Sequence, residues 1–166
     1  MNFSTAKELF RTLTKEYFGN TATVIYANQS RQPKPKVPLV TIALGKPGRP
    51  LFAPVAEVDD TLVTHYPTSV RMDVDLFTNG REVVYQNQVI GTEDSSVEEM
   101  YSFKDFLESE YTVDWCHTND VAIGFDGDVI PMTGVVNDTT YEYRSRLTVI
   151  FYFTHKTAGY RSASVD

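Results

Sequence analysis

Within "NDTTYEYRSRLTVIFYFTH", Glu142, Arg144 and Arg146 follow one another at steps of two. On a strand that spacing puts all three side chains on one face, roughly 7 Å between neighbours. Upstream, "SVRMDVDLFTNG" sets Arg71, Asp73 and Asp75 at the same spacing. Two uses suit such groups. They can pair across neighbouring strands within the sheet, Asp73 or Asp75 facing the arginines, which contributes little to stability on a solvated face. Alternatively Tyr141, Glu142, Arg144, Arg146, Arg71, Asp73 and Asp75 form a contact between subunits.

Reactive chemistry finds weaker support. His65, His117 and His155 lie in no triad setting, and no G-x-S-x-G elbow exists. "DWCHTND" gathers Asp114, Cys116, His117 and Asp120, but a zinc site needs spaced ligand pairs, and here the thiol and imidazole are adjacent. Read as a strand, the segment sends those two side chains to opposite faces, a buried thiol beside a surface histidine. "FDGD" opens like a calcium loop but lacks the later oxygen ligands and the closing glutamate. "GKPGRP" lacks the G-K-[ST] of a phosphate-binding loop. The residues thus assign no catalytic group, no cofactor and no metal. An alternative of a different class remains: a small acidic enzyme using Asp73, Asp75 and Asp128 with a divalent metal. It predicts that these carboxylates converge in one pocket.

The chain of 166 residues suits one α+β domain spanning 1–166. Its apolar fraction of 42% and its ten Tyr and ten Phe are enough for a core. The net charge of −7 and pI near 4.9 speak against specific nucleic-acid binding and against docking on an anionic membrane, since both draw on Lys and Arg. Acidity still permits a passive role beside DNA, as a repulsive wall. No apolar run reaches the length of a membrane span, and the N-terminus has neither the basic start nor the apolar stretch of a signal peptide. The one cysteine, Cys116, forms no internal disulfide and fits a reducing compartment.

The elements that would position these groups can be read from periodicity. Phe3, Ala6, Phe10, Leu13 and Tyr17 make one stripe of a helix over Ser4 to Phe18, with Thr5 and Glu8 as a capping box and Gly19-Asn20 as a stop. Thr21 to Asn28 and Val37 to Leu44 read as strands joined by the polar, proline-bearing "QSRQPKPK". "GKPGRPLFAPVAEVDD" reads as a long exposed connection. Ser69 to Gly80 alternates as a strand. Gly80 to Ser96 reads as a loop, with a short strand at Val83 to Tyr85. A second helix opens at Ser96-x-x-Glu99 and runs to about Glu110; short strands then flank an Asp126-Gly127 turn. The tail from 157 to 166 is small, polar and expected to be flexible. Helix, strands, helix, strands gives an α+β fold: one mostly antiparallel sheet with two helices packed on one face.

The final strand poses a geometric problem. From Tyr141 to His155 it would reach roughly 50 Å if straight. A globule of this chain length is about 40 Å across. The strand must bend, carry a bulge or project, and projection suits a sheet that continues into a neighbour.

The order of motifs resembles the tail terminator and neck proteins of long-tailed bacteriophages. "VIYANQSRQPKPKVPLVTIAL" is similar to their strand, proline loop, strand opening. "SVRMDVDLFTNG" resembles their R-x-x-x-D-x-[FY]-x-x-G strand through Arg71, Asp75, Phe77 and Gly80. "GDVIPMTGVVNDTTYEYRSRLTVIFYFTH" resembles their C-terminal unit through Tyr141, Glu142, Arg144 and Leu147. The resemblance implies a virion protein of the phage neck or tail, assembled in the host cytoplasm. It implies a homohexameric ring that caps the tail tube, stops its polymerisation and meets the head connector or adaptor proteins. DNA would pass through the channel without specific binding, and no catalysis, cofactor or membrane is involved. A head-completion or adaptor subunit of the neck is the alternative within the same class. The segments 45–67 and 80–96 match no pattern of that family.

Overall fold

The computed structural model describes residues 1–27, 34–137 and 140–158. In chain order these form α1 (Phe3–Phe18), β1 (Thr23–Tyr26), β2 (Leu39–Gly48), β3 (Val55–Val58), β4 (Thr61–Thr78), β5 (Arg81–Tyr85) and β6 (Gln88–Glu93). There follow α2 (Ser96–Leu107), α3 (Glu110–Asn119), β7 (Val121–Phe125), β8 (Ile130–Pro131), β9 (Gly134–Asn137) and β10 (Thr140–Ala158). No helix among the described residues is long and apolar enough to cross a membrane.

The main sheet has the strand order β1-β2-β4-β10-β7, with β3 added on β4 and β8 and β9 on β10. The α+β class holds, with differences in detail. The sheet is mixed, because β1 runs parallel to β2 while the other pairs are antiparallel. Among the described residues there are three helices rather than two. β5 and β6 form a separate two-stranded sheet where mostly loop was expected.

One face of the sheet carries the core. Antiparallel register aligns Val40 with Leu76, and Ile42 with Val74. It likewise aligns Val74 with Leu147, Met72 with Val149, and Val70 with Phe151. These side chains are buried against Phe10 and Leu13 of α1 and Met100, Phe103 and Leu107 of α2. Phe10 meets Phe151, and Tyr17 of α1 meets Phe103 and Phe106 of α2, so the two helices and the sheet close one apolar layer. Each fully buried Phe or Leu contributes about 1.5–3 kcal/mol. Ser145 on β10 donates to the Ser96 carbonyl (2.7 Å), fixing the start of α2 to the sheet.

Local chemistry sets the ends of the elements. α1 is capped by Asn2, whose side chain accepts from the Thr5 amide (2.8 Å); the expected Thr5/Glu8 box is not used, and Glu8 instead accepts from Tyr26 and Arg11. Gly19, at positive φ, ends the helix as its sequence predicts. The "DWCHTND" segment is helical, not extended. Ser109 caps α3, and Asp120, in the left-handed conformation, closes it. Cys116 is buried and His117 exposed, so the conclusion drawn for a strand survives on a helix. The connection 45–60 is exposed as expected, but β2 runs into it as far as Gly48, and β3 turns back onto β4 through Asp59-Asp60, both at positive φ.

β10 is 19 residues long and β4 18, and they pair continuously from Tyr143–Thr78 to Ala158–Val63. The projecting arrangement resolves the length problem. Core burial ends near Thr68 and Phe153, and the ribbon runs on with β3 as an arm whose Val55, Val58 and Leu62 are exposed. Thr157 and Ala158 belong to this strand and not to a tail; the remainder of the expected tail, like Asn28 of the expected first strand and residues 29–33 of the proline loop, lies outside the described residues.

Candidate assembly surface

Among the described residues no helix covers the second face of the sheet, which holds the charged groups. Arg146 stands directly opposite Asp75 in the register between β10 and β4. It grips the carboxylate with both edges of its guanidinium, Nε to Oδ1 at 2.7 Å and Nη2 to Oδ2 at 2.9 Å. Arg144, opposite Phe77, reaches diagonally to the same Oδ2 at 2.5 Å. Two-point contacts of this kind are the strong form of ion pair. Asp75 is only 4% exposed. Burial by itself would raise its carboxyl pKa, but the hydrogen bonds from Arg146 and Arg144 outweigh that and hold it below the usual carboxylate range.

The lattice extends in both directions. The Arg144 guanidinium and the Lys34 ammonium both lie over the Phe77 ring. Lys34 also pairs with Glu142. On the other side Asp73 accepts from Thr148 (2.7 Å) and lies near both Arg146 and Arg71. Arg71 then joins Asp126 at 2.5 Å, which ties β4 to the turn after β7. The cross-strand account of Asp73, Asp75, Arg144 and Arg146 is therefore realised within the chain. Of the seven candidate residues, Tyr141 and Arg71 remain largely accessible.

Carboxylates do not converge as the metal-enzyme alternative requires. Asp128 accepts from Lys104 on α2 (3.3 Å) and from the Val129 amide, whereas Asp73 and Asp75 are held by arginines on the opposite face of the sheet. Among the described residues no three His, Cys, Asp or Glu are grouped to hold a metal ion. Cys116 is buried, which pushes its thiol pKa up and away from nucleophilic character.

Two features escaped sequence reasoning. The β5–β6 hairpin turns at Gln86-Asn87, both at positive φ, without the Gly that usually marks such a turn. It is anchored by Arg81 to Glu93 (3.0 Å) and Glu98, and by the Tyr143 hydroxyl donating to the Thr92 carbonyl (3.0 Å). Its tip leaves Val84, Tyr85, Val89 and Ile90 exposed. The second feature is the apolar pair Leu51 and Phe52, which stands in solvent on the loop before β3, a loop whose exposure itself was expected. Apolar residues within a proline-rich, otherwise polar stretch were the available signal.

A mixed sheet with one helical layer, a charge lattice in place of a reactive centre, and apolar tips at both ends of a long ribbon fit a part built for assembly. The model of the phage neck terminator protein family matches residues 7–166, and the chain belongs to that family. Membership makes it a structural protein of the virion neck, of the tail terminator kind. No curated protein matches it in sequence.

Proposed function

We propose that the chain forms a closed homo-oligomeric ring, a hexamer, at the head-proximal end of a phage tail. The ring ends polymerisation of the tail tube and offers its other surface to the head connector. The observation that carries this reading is the family match over residues 7–166. The ribbon of β4 and β10 supports it, because an arm that projects from the core has exposed apolar side chains to bury. The ring needs no cofactor and performs no catalytic step.

DNA crosses the channel without specific binding. The net charge of −7 suits that passage: an acidic lumen repels phosphates and lets the duplex slide, whereas a basic lumen would act as a brake. The charged face carrying Arg71 and Glu142, together with Tyr141, lies in or beside the subunit contacts. Purified tube protein polymerised with and without this chain tests the terminating role. Tubes should stop at the length reached when the chain is added; unchanged growth would count against it.

A further inference from the structure

The main sheet ends in two strands with one neighbour each, β1 beside β2 and β7 beside β10. The ladders fix which backbone groups face outward. The Asp126 amide donates to the Thr148 carbonyl (3.0 Å) and continues the β7–β10 register, so Ala122 and Gly124 bond to β10. The N–H and C=O groups of Val121, Ile123 and Phe125 therefore point away from the sheet. On β1 the Thr23 amide donates to the Pro38 carbonyl (3.1 Å) and the Ala27 amide to that of Ile42 (2.9 Å), which turns the groups of Val24 and Tyr26 outward. Among the described residues none of these outward groups has a partner. The connection that leaves β1 reappears at Lys34, which lies over Phe77 and beside Glu142, on the second face and inward of the edge.

Free edges are normally guarded by a charge, a proline or a bulge. Thr23–Tyr26 and Val121–Phe125 have none of these, whereas the exposed β3, β5 and β6 all hold charged residues. The two open edges also suit each other in direction. β1 runs with β2 and against β4, and β7 runs with β4, so β1 and β7 are antiparallel. A copy rotated about an axis along the strands brings its β1 antiparallel to β7. Val24 and Tyr26 share the helical face with Val121, Ile123 and Phe125, so that pairing sets α1 of one copy beside α3 of the other.

Charge separates this pairing from self-pairing. Residues 105–125 hold Asp105, Glu108, Glu110, Asp114 and Asp120 and no Lys or Arg. Cations on that side of the chain are engaged: Lys104 with Asp128, Arg49 over the Tyr66 ring, and the N-terminal ammonium with the Thr154 carbonyl. The flank of α1 along β1 carries Lys7 and Arg11, both over the Tyr26 ring, and Lys15 one turn on. Its one acid, Glu8, is taken by Arg11 and Tyr26, and Glu16 bonds Tyr111 on the other side of the helix. Pairing β7 with β7, or β1 with β1, sets like charges together; pairing β7 with β1 sets the acidic row of α3 against the basic row of α1.

We propose that β7 of one copy adds to β1 of the next, so that the main sheet runs on from subunit to subunit with α3 against the neighbour's α1. The pairing is strand addition between unlike edges, which repeats head to tail and closes when the rotation permits. It rests on the ring reading and names its contact.

The test uses charge reversal on exposed residues of the full chain. Glu110→Lys with Asp114→Lys reverses the α3 row, and Lys7→Glu with Lys15→Glu reverses the α1 row. Each double variant should self-associate at least about tenfold more weakly than the parent, because both rows then carry one sign. An equal mixture of the two should recover assembly, since every contact in an alternating ring is again between opposite rows. In a Cys116→Ala background, Ala122→Cys mixed with Thr23→Cys or Ile25→Cys should give a 122–23 or 122–25 disulfide under mild oxidant, identified by peptide mapping. Circular dichroism of each variant checks that the monomer stays folded. Rings that persist in both reversed variants would overturn the contact and leave the ring reading standing, as would 122–122 links dominating the mixture or a mixture that stops at dimers. A parent chain that neither assembles nor gives the mixed link removes the contact, and removes the ring reading too if it also leaves tube growth unchanged.

Discussion

Replacing Asp75 by alanine should destabilise the folded chain by about 2–3 kcal/mol. Removing one member of a buried ion pair costs about 3–5 kcal/mol, because the partner charge is left desolvated. Here the partners are two arginines whose side chains are 27% and 30% exposed, so part of their hydration is kept. Arg146 also retains Asp73 at 3.8 Å as a secondary partner. Both facts lower the figure from the buried-pair range. For a chain of this size the loss corresponds to a melting temperature lower by about 5–10 °C. Urea unfolding followed by tryptophan fluorescence and circular dichroism reads it directly, as a lower midpoint at unchanged slope. Asp73→Ala is the control; it removes a more exposed carboxylate and should cost under about 1 kcal/mol. A loss below about 0.5 kcal/mol for Asp75→Ala would refute the reasoning, since it would show the arginines swinging freely into solvent. Arg144→Glu sharpens the point: placing a carboxylate against Asp75 should unfold the monomer more readily, not merely block assembly.

Other consequences follow from the same geometry. The Asp75 carboxyl is held below its unfolded value, so its contribution is full above about pH 4 and is lost as the pH falls through the lower folded value. The stability of Asp75→Ala should therefore fall less steeply with acid than that of the parent, and parallel slopes below pH 4 would contradict this. Gly80 has φ +79, and a β-carbon there would lie 2.4 Å from the Glu93 carbonyl oxygen and 2.6 Å from the Tyr143 ring. Gly80→Ala should cost about 2 kcal/mol or more and loosen the β5–β6 hairpin, visible as faster amide exchange across Arg81–Glu93; unchanged protection would show that the backbone can give way.

Much of the frame was legible in the residues, and the reasons differ by element. The stripe from Ala6 to Tyr17 and the alternation from Val70 to Leu76 are strong because one face of each is buried by the same core, whereas Phe3 at the head of the stripe stays exposed. A carboxylate–arginine pairing across these strands could be expected from spacing, with Asp73 or Asp75 as the partner; that Asp75 faces Arg146 is set by the register. α3 was hidden because "EYTVDWCHTN" buries only Thr112 and Cys116 and so has no wide apolar stripe; Ser109 and Asp120 at its ends were the better signal. The β3–β4 and β5–β6 hairpins were hidden because Asp59-Asp60 and Gln86-Asn87 adopt positive φ without glycine, and because their strands are exposed and lack a core-facing alternation.

The central claim is the ring, and mass measurement of the purified chain across a wide concentration range, paired with electron micrographs of the same samples, tests it most directly. A closed annulus of six 18.8 kDa subunits should form, in solution or on the end of a tail tube. A chain that stays monomeric at every concentration and also on added tube would contradict it.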